Sequence, residues 1–334
     1  RNGYEFVGWT GEGITMPQTS VKIPKGSTGN KAYTANWQVI KYTIITLLEG
    51  GNAGSSGAYA YTVEETFTLP TPTRKGYTFF GWTGEGITKP QPNVTIPKGS
   101  TGDKTYIENW KLTEYNITMD LNGGSGETTL LYTVIDDEFA LPTPTRNGYE
   151  FVGWTGEGIT TPQTSVKIPK GSTGDKAYTA NWQVIEYTIT LDTNGGPVVS
   201  PIKYTVEDSF TLPYPLRPGY EFAGWVLDGS GQFPSTPMII PEGSTGDRIY
   251  EAEWRVATYT ITFVSHGRVY NWVQYTINNQ IYFGAPEEDP SYYLPGYTFV
   301  GWKIDGVSGT PRSYMLPKGS YGNRTATMLW EPIP

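Results

Sequence analysis

Apolar and polar positions alternate with period two along short runs of this chain. In YNITMDLN (115–122), Tyr115, Ile117, Met119 and Leu121 fall on one face, and Asn116, Thr118, Asp120 and Asn122 fall on the other. Such alternation marks a half-buried antiparallel strand. YTITLDTN (187–194) and YTITFVS (259–265) repeat it. Gly50-Gly51, Gly123-Gly124 and Gly195-Gly196 then supply turns, and a second run follows, LLYTV (130–134) or IKYTV (202–206). The pair predicts a β-hairpin. The prolines of FTLPTPTRKGY (67–77) exclude a central strand and fit an extended crossover. A third strand (YEFVGW), a variable loop, a short strand (VKIP) and a closing strand in PKGSTGDKAYTANW (169–182) complete the unit. No stretch sustains a 3.6-residue apolar period, and 41 Gly and 26 Pro are too many for long helices. The expectation is a mainly β chain with at most one short helix or 3-10 turn per unit.

The unit is repeated. Ten of the eleven tryptophans form five pairs, Trp9/Trp37, Trp82/Trp110, Trp154/Trp182, Trp225/Trp254 and Trp302/Trp330, separated within each pair by 28 or 29 residues. Successive pairs are 73, 72, 71 and 77 residues apart. Residues 1–44 and 146–189 differ only at Met16/Thr161, Asn30/Asp175 and Lys41/Glu186. A fixed period decides the architecture before local propensity does. The predicted domains are a closing half-repeat at 1–37, repeats at 38–110, 111–182 and 183–254, and a divergent terminal repeat at 255–334. A chain that opens mid-repeat reads as a fragment, and its half-repeat alone would leave an apolar face open, to be completed by an upstream segment, a neighbour or strands of another copy. The linkers QVIK, KLTE, QVIE and RVAT lack Gly and Pro, which predicts a semi-rigid rod.

A unit of about 72 residues is marginal on its own. Cysteine is absent and His266 is the sole histidine, so disulfides and a Cys/His zinc site are excluded as stabilisers. Aromatic packing must supply the stability. A net charge of −8 without a basic stripe argues against nucleic acid and anionic membrane as partners. No apolar run reaches the length of a membrane span.

The order YTITLDTNGG, YTV, GYEFAGW and a closing Y-x-A-x-W resembles the Listeria–Bacteroides repeat, the B-repeat family of internalin-like bacterial surface proteins. The resemblance implies a small β-grasp-like module, found in tandem in exported proteins as stalk or interaction segments, with no known catalytic role. The PKGSTG insertion before the last strand departs from that pattern, as does VSHG in the final unit.

Candidate chemistry is sparse. PKGSTGDK has the wrong glycine spacing for a phosphate loop and precedes a strand, so it reads as a turn with Pro at its second position. Glu12, Glu85 and Glu157 recur without a second carboxylate and read as solvated loop charges. Asn30, Asp103, Asp175, Asp247 and Asn323 follow the GSTG motif; lone oxygens do not make a calcium site, and turn capping is the simpler role. His266 has no nucleophile motif near it. No catalytic constellation, cofactor or metal is expected. Aromatics outside the repeat pattern gather in the last unit: Trp272, Tyr270, Tyr292, Tyr293, Tyr314 and Tyr321. They either cap the array or contact a glycan or protein partner. The functional expectation is a non-enzymatic stalk, spacer or assembly segment at a bacterial surface, with head-to-tail copies of itself as one partner. The alternative is an adhesin module acting through the last repeat.

Overall fold

A computed structural model describes residues 1–48, 55–286 and 294–334. The described residues are strands, turns and loops, without an α-helix. The predicted turn at Gly50-Gly51 lies outside them. By contacts the chain divides into two compact units, residues 1–144 with 151–181, and 145–150 with 182–334.

The repeat at 183–254 shows the plan. Its sheet has the order Ile202–Tyr204, Tyr187–Asp192, Arg248–Val256, Tyr220–Leu227. The first strand pairs antiparallel with the second and parallel with the last, and the last pairs antiparallel with the third. Phe210–Thr211 and Ile239–Ile240 form a small second ladder. The inward positions Ile189, Leu191, Tyr204, Leu212, Phe222, Trp225, Ile240, Tyr250 and Ala252 make one core. Period-two patterning therefore puts one face of each strand into the core, as the sequence implies. The repeats at 38–110 and 111–182 and the terminal repeat keep this order. In the first two, the segment after the third strand is itself a strand, Ile87–Gln91 or Ile159–Gln163, where the sequence reading placed a loop. The second strand is shorter than expected, because it ends at the Tyr of YTV and the Val turns out of the sheet.

The tryptophans of a pair are not equivalent. Trp82, Trp154, Trp225 and Trp302 are core residues, but Trp110, Trp182, Trp254 and Trp330 are half-buried. These second tryptophans sit near the end of the last strand and pack only partly against the core. Trp254 covers the glycine turn instead, its Nε1 donating to the Thr193 carbonyl at 2.9 Å. Trp330 likewise stacks on His266, with ring centroids 5.9 Å apart, and its Nε1 donates to Ser265 Oγ. The second tryptophan of each pair, and both of the first pair, therefore lie at the margin of a core and not within one.

In residues 1–37 the sheet has three strands, ordered Ile14–Gln18, Tyr4–Gly11, Thr34–Val39. Trp9 is 37% exposed, whereas Trp154, in the same thirteen-residue sequence, is 1% exposed. Around Trp9, Val21, Ile23 and Tyr33 line an open hollow. Their counterparts Val166, Ile168 and Tyr178 are buried in a repeat that includes its opening hairpin and crossover. Within residues 1–37 this face is open.

Candidate functional site

Each repeat meets the next through the same joint. The GY pair that begins a third strand receives the Val or Ile that ends YTV in the following repeat. At Gly148, where φ is +75°, a Cβ would lie 2.4 Å from Val206 Cβ. Only glycine tolerates both the conformation and the approach. Gly3, Gly76 and Gly219 face Val63, Val134 and Ile277 in the same way. The glycine carbonyl accepts from the linker, from the N–H of Ile40, Thr113, Ile185 or Ala257, at 2.9–3.0 Å. An arginine lies over the ring of each joint tyrosine, as Arg146 does over Tyr149 at 3.7 Å.

The valine plug is fixed by the motif that looked like a phosphate loop. Gly171 N donates to Val134 O, and Gly243 N to Val206 O. Tyr132 Oη donates to Gly174 O at 2.5 Å, with matching bonds from Tyr61, Tyr204 and Tyr275. Asp175 accepts from Asn116 N at 2.8 Å, as Asp103, Asp247 and Asn323 do from Thr43, Thr188 and Thr260. PKGSTG-D is a staple holding both hairpin strands. Ser172 N donates to Pro169 O, so Pro169 occupies the first turn position, not the second, and Gly171 has φ +84°. Glu157 is also engaged, its carboxylate accepting from Ala177 N at 3.3 Å from a residue with φ +45°. Among the described residues no group of His, Asp and Glu side chains is arranged to hold a metal ion.

Two joints carry a phenol–carboxylate bond, Tyr4 to Glu64 and Tyr149 to Glu207, each 2.5 Å. Donation to Glu207 holds the Tyr149 phenol above its ordinary value, with smaller effects from desolvation and from Arg146 acting in the opposite sense. The neutral phenol is the bonded form. Its contribution is therefore present below the ordinary tyrosine pKa of about 10 and is lost as pH rises through the higher folded value. NMR titration of the Tyr149 Cζ resonance is expected to show the raised value, and Glu207→Gln to lower it. An unchanged titration in the variant would remove the bond from the account.

The six aromatics singled out from sequence do not form one site. Tyr270 is the extra residue of a β-bulge in Arg268–Tyr275, which turns its ring onto Phe263 at 6.0 Å. Tyr314 lies against Phe283. Both pack on the terminal core. Trp272, on the opposite face from Tyr275, is 60% exposed. Tyr321 is exposed at the joint with the preceding repeat. Tyr292 and Tyr293 lie outside the described residues. Sequence reasoning passed over Tyr214 and Leu216, both exposed, because they belong to a repeat that otherwise follows the pattern. Comparing them with Thr143 and Thr145 at the same positions would have found them.

The family model described as Listeria-Bacteroides repeat domain matches residues 42–105, 115–181, 187–245 and 259–319. The divergent InlB B-repeat domain matches residues 1–41. Among curated proteins of Evansella cellulosilytica, one named "Putative Gly-rich membrane protein" is 28% identical over 91% of this chain. Another, named "Putative membrane protein", is 24% identical over 81% of it. The matches cover 36% and 40% of those two proteins, so the chain spans well under half of either relative. Among the described residues no helix is long and apolar enough to cross a membrane.

Proposed function

The chain belongs to the Listeria–Bacteroides repeat family, and on that premise we propose that it is a non-catalytic spacer or stalk of a bacterial surface protein. The observation that carries this reading is the joint. Four times the chain builds the same contact from a glycine socket, an aliphatic plug, a linker hydrogen bond and an arginine-covered tyrosine. A contact repeated with such regularity fixes the step from one repeat to the next, which is what a spacer needs and a set of independent binding sites does not. The 41 identities between residues 1–44 and 146–189 favour the same reading, since copying a unit adds length. The parallel central pair flanked by antiparallel partners supports a β-grasp-like module. The names of the relatives support placement at the cell envelope. Antibody labelling of intact cells producing the native gene product tests the placement. Labelling without permeabilisation is expected, and labelling seen only in lysed cells would refute it.

A further inference from the structure

The joint between the fourth and last repeats departs from the others in a concerted way. Tyr214 and Leu216 stand where the third repeat has Thr143 and Thr145, and Tyr321 stands where it has Thr173. The result is an open cleft of about 330 Å³ whose walls include Tyr214, Arg217, Glu221, Trp254, Tyr259 and Tyr321. That volume lies at the lower end of the range for small-molecule sites.

Folding does not account for these three replacements. Tyr214, Leu216 and Tyr321 are 61%, 75% and 54% exposed, so they add little to the core. Single exposed apolar residues need no explanation, but three around one cleft, each in place of threonine, do. The cleft is also held in shape. Tyr214 stands edge-on to Phe222 at 5.0 Å. Arg217 lies 3.9 Å over Tyr220 and donates to the Asn194 carbonyl at 2.9 Å. Trp254 is fixed through its bond to Thr193. A ligand would meet rings that are already positioned, which lowers the ordering entropy lost on binding.

We propose that this cleft binds a neutral saccharide. Tyrosine and tryptophan present flat apolar faces with polar tips. A sugar ring matches them, with C–H bonds on its faces and hydroxyls on its rim. The charges on the wall narrow the choice further. Arg217 offers only donors and Glu221 only acceptors. A hydroxyl is both, so a polyol satisfies the two together, and one positive and one negative side chain favour neither an acidic nor a basic ligand. A proline-rich peptide also fits aromatic grooves, but its carbonyls accept only and leave Glu221 without a donor. Saccharide binding stands apart from the spacer role, which survives its failure.

The test uses the whole chain and a variant in which Tyr214→Thr and Tyr321→Thr restore the residues found at the other joints. Those threonines sit in folded repeats of the same chain, so the variant is expected to fold, and its melting curve checks this. Both proteins are titrated with neutral gluco-, manno-, galacto- and N-acetylglucosamine oligosaccharides, an acidic uronate oligosaccharide and a proline-rich peptide. Binding is followed by calorimetry and by the Trp254 indole N–H resonance. At least one neutral series is expected to bind at millimolar concentration or tighter, shifting the Trp254 signal, and the variant to bind at least about tenfold more weakly. No neutral binder, equal binding by the variant, or binding confined to the uronate or the peptide would each overturn the proposal.

Discussion

In a polypeptide of residues 1–334, Trp154→Ala is expected to lower the stability of the third repeat by about 3–5 kcal/mol, and Trp9→Ala to cost far less. The two tryptophans share the sequence GYEFVGWTGEGIT. They differ in what surrounds them. Trp154 is fully buried, as are Tyr132, Leu141, Ile168 and Tyr178 of the same repeat. Trp9 has the last two counterparts, Ile23 and Tyr33, but residues 1–37 hold no hairpin or crossover to complete the core around it. Removing Trp154 deletes a large buried surface and leaves a cavity that a tightly packed sheet cannot close. A repeat of about 72 residues holds roughly 4–11 kcal/mol of stability in total, so the loss brings it close to unfolding. Hydrogen exchange read peptide by peptide over 111–184 checks this. Global exchange protection there should collapse in Trp154→Ala and persist in Trp9→Ala. Equal effects would mean that sequence, not the completed core, determines the value of the residue.

A second matched pair isolates the joint. Gly148→Ala places a Cβ against Val206 at a φ of +75°. Left-handed backbone costs a non-glycine residue about 1–2 kcal/mol, and overpacking adds about 1–3. Gly296 has φ +82° and the same place in the last repeat, and a Cβ there would meet no atom within 4 Å. Gly296→Ala should therefore show the backbone term alone. The excess in Gly148→Ala measures the plug, and Ile185 N–H, which donates to Gly148 O at 2.9 Å, should lose protection only in that variant. Indistinguishable variants would remove the socket from the account of how repeats are coupled.

Much of this was legible in the sequence, because period two and the tryptophan spacing both survive as strands and repeats. The strand order of the sheet was not, since nothing local says that Tyr187–Asp192 pairs in parallel with Arg248–Val256, about sixty residues on. The joint was hidden for a similar reason. The Val of YTV reads as an ordinary strand residue until its neighbour in space, Gly148, is known to have φ +75°. The PKGSTG turn was read correctly as a turn, but its role as a staple depends on Tyr132 and Asn116, some forty and sixty residues away. The second tryptophans misled because a large apolar side chain at the end of a strand looks the same in sequence as one at its centre. Of the aromatic candidates, Tyr270 moved to the core through a bulge, which shifts a side chain without leaving a mark in the pattern.

The proposed spacer role requires joined repeats to supply length. Small-angle X-ray scattering from the whole chain tests it most directly. A compact body of this size would have a radius of gyration of about 20 Å, and a line of repeats, each ~30 Å across, would exceed roughly 100 Å end to end. The expected result is a maximum dimension above that length and a radius of gyration near or above about 30 Å. A radius near the compact value would contradict the claim.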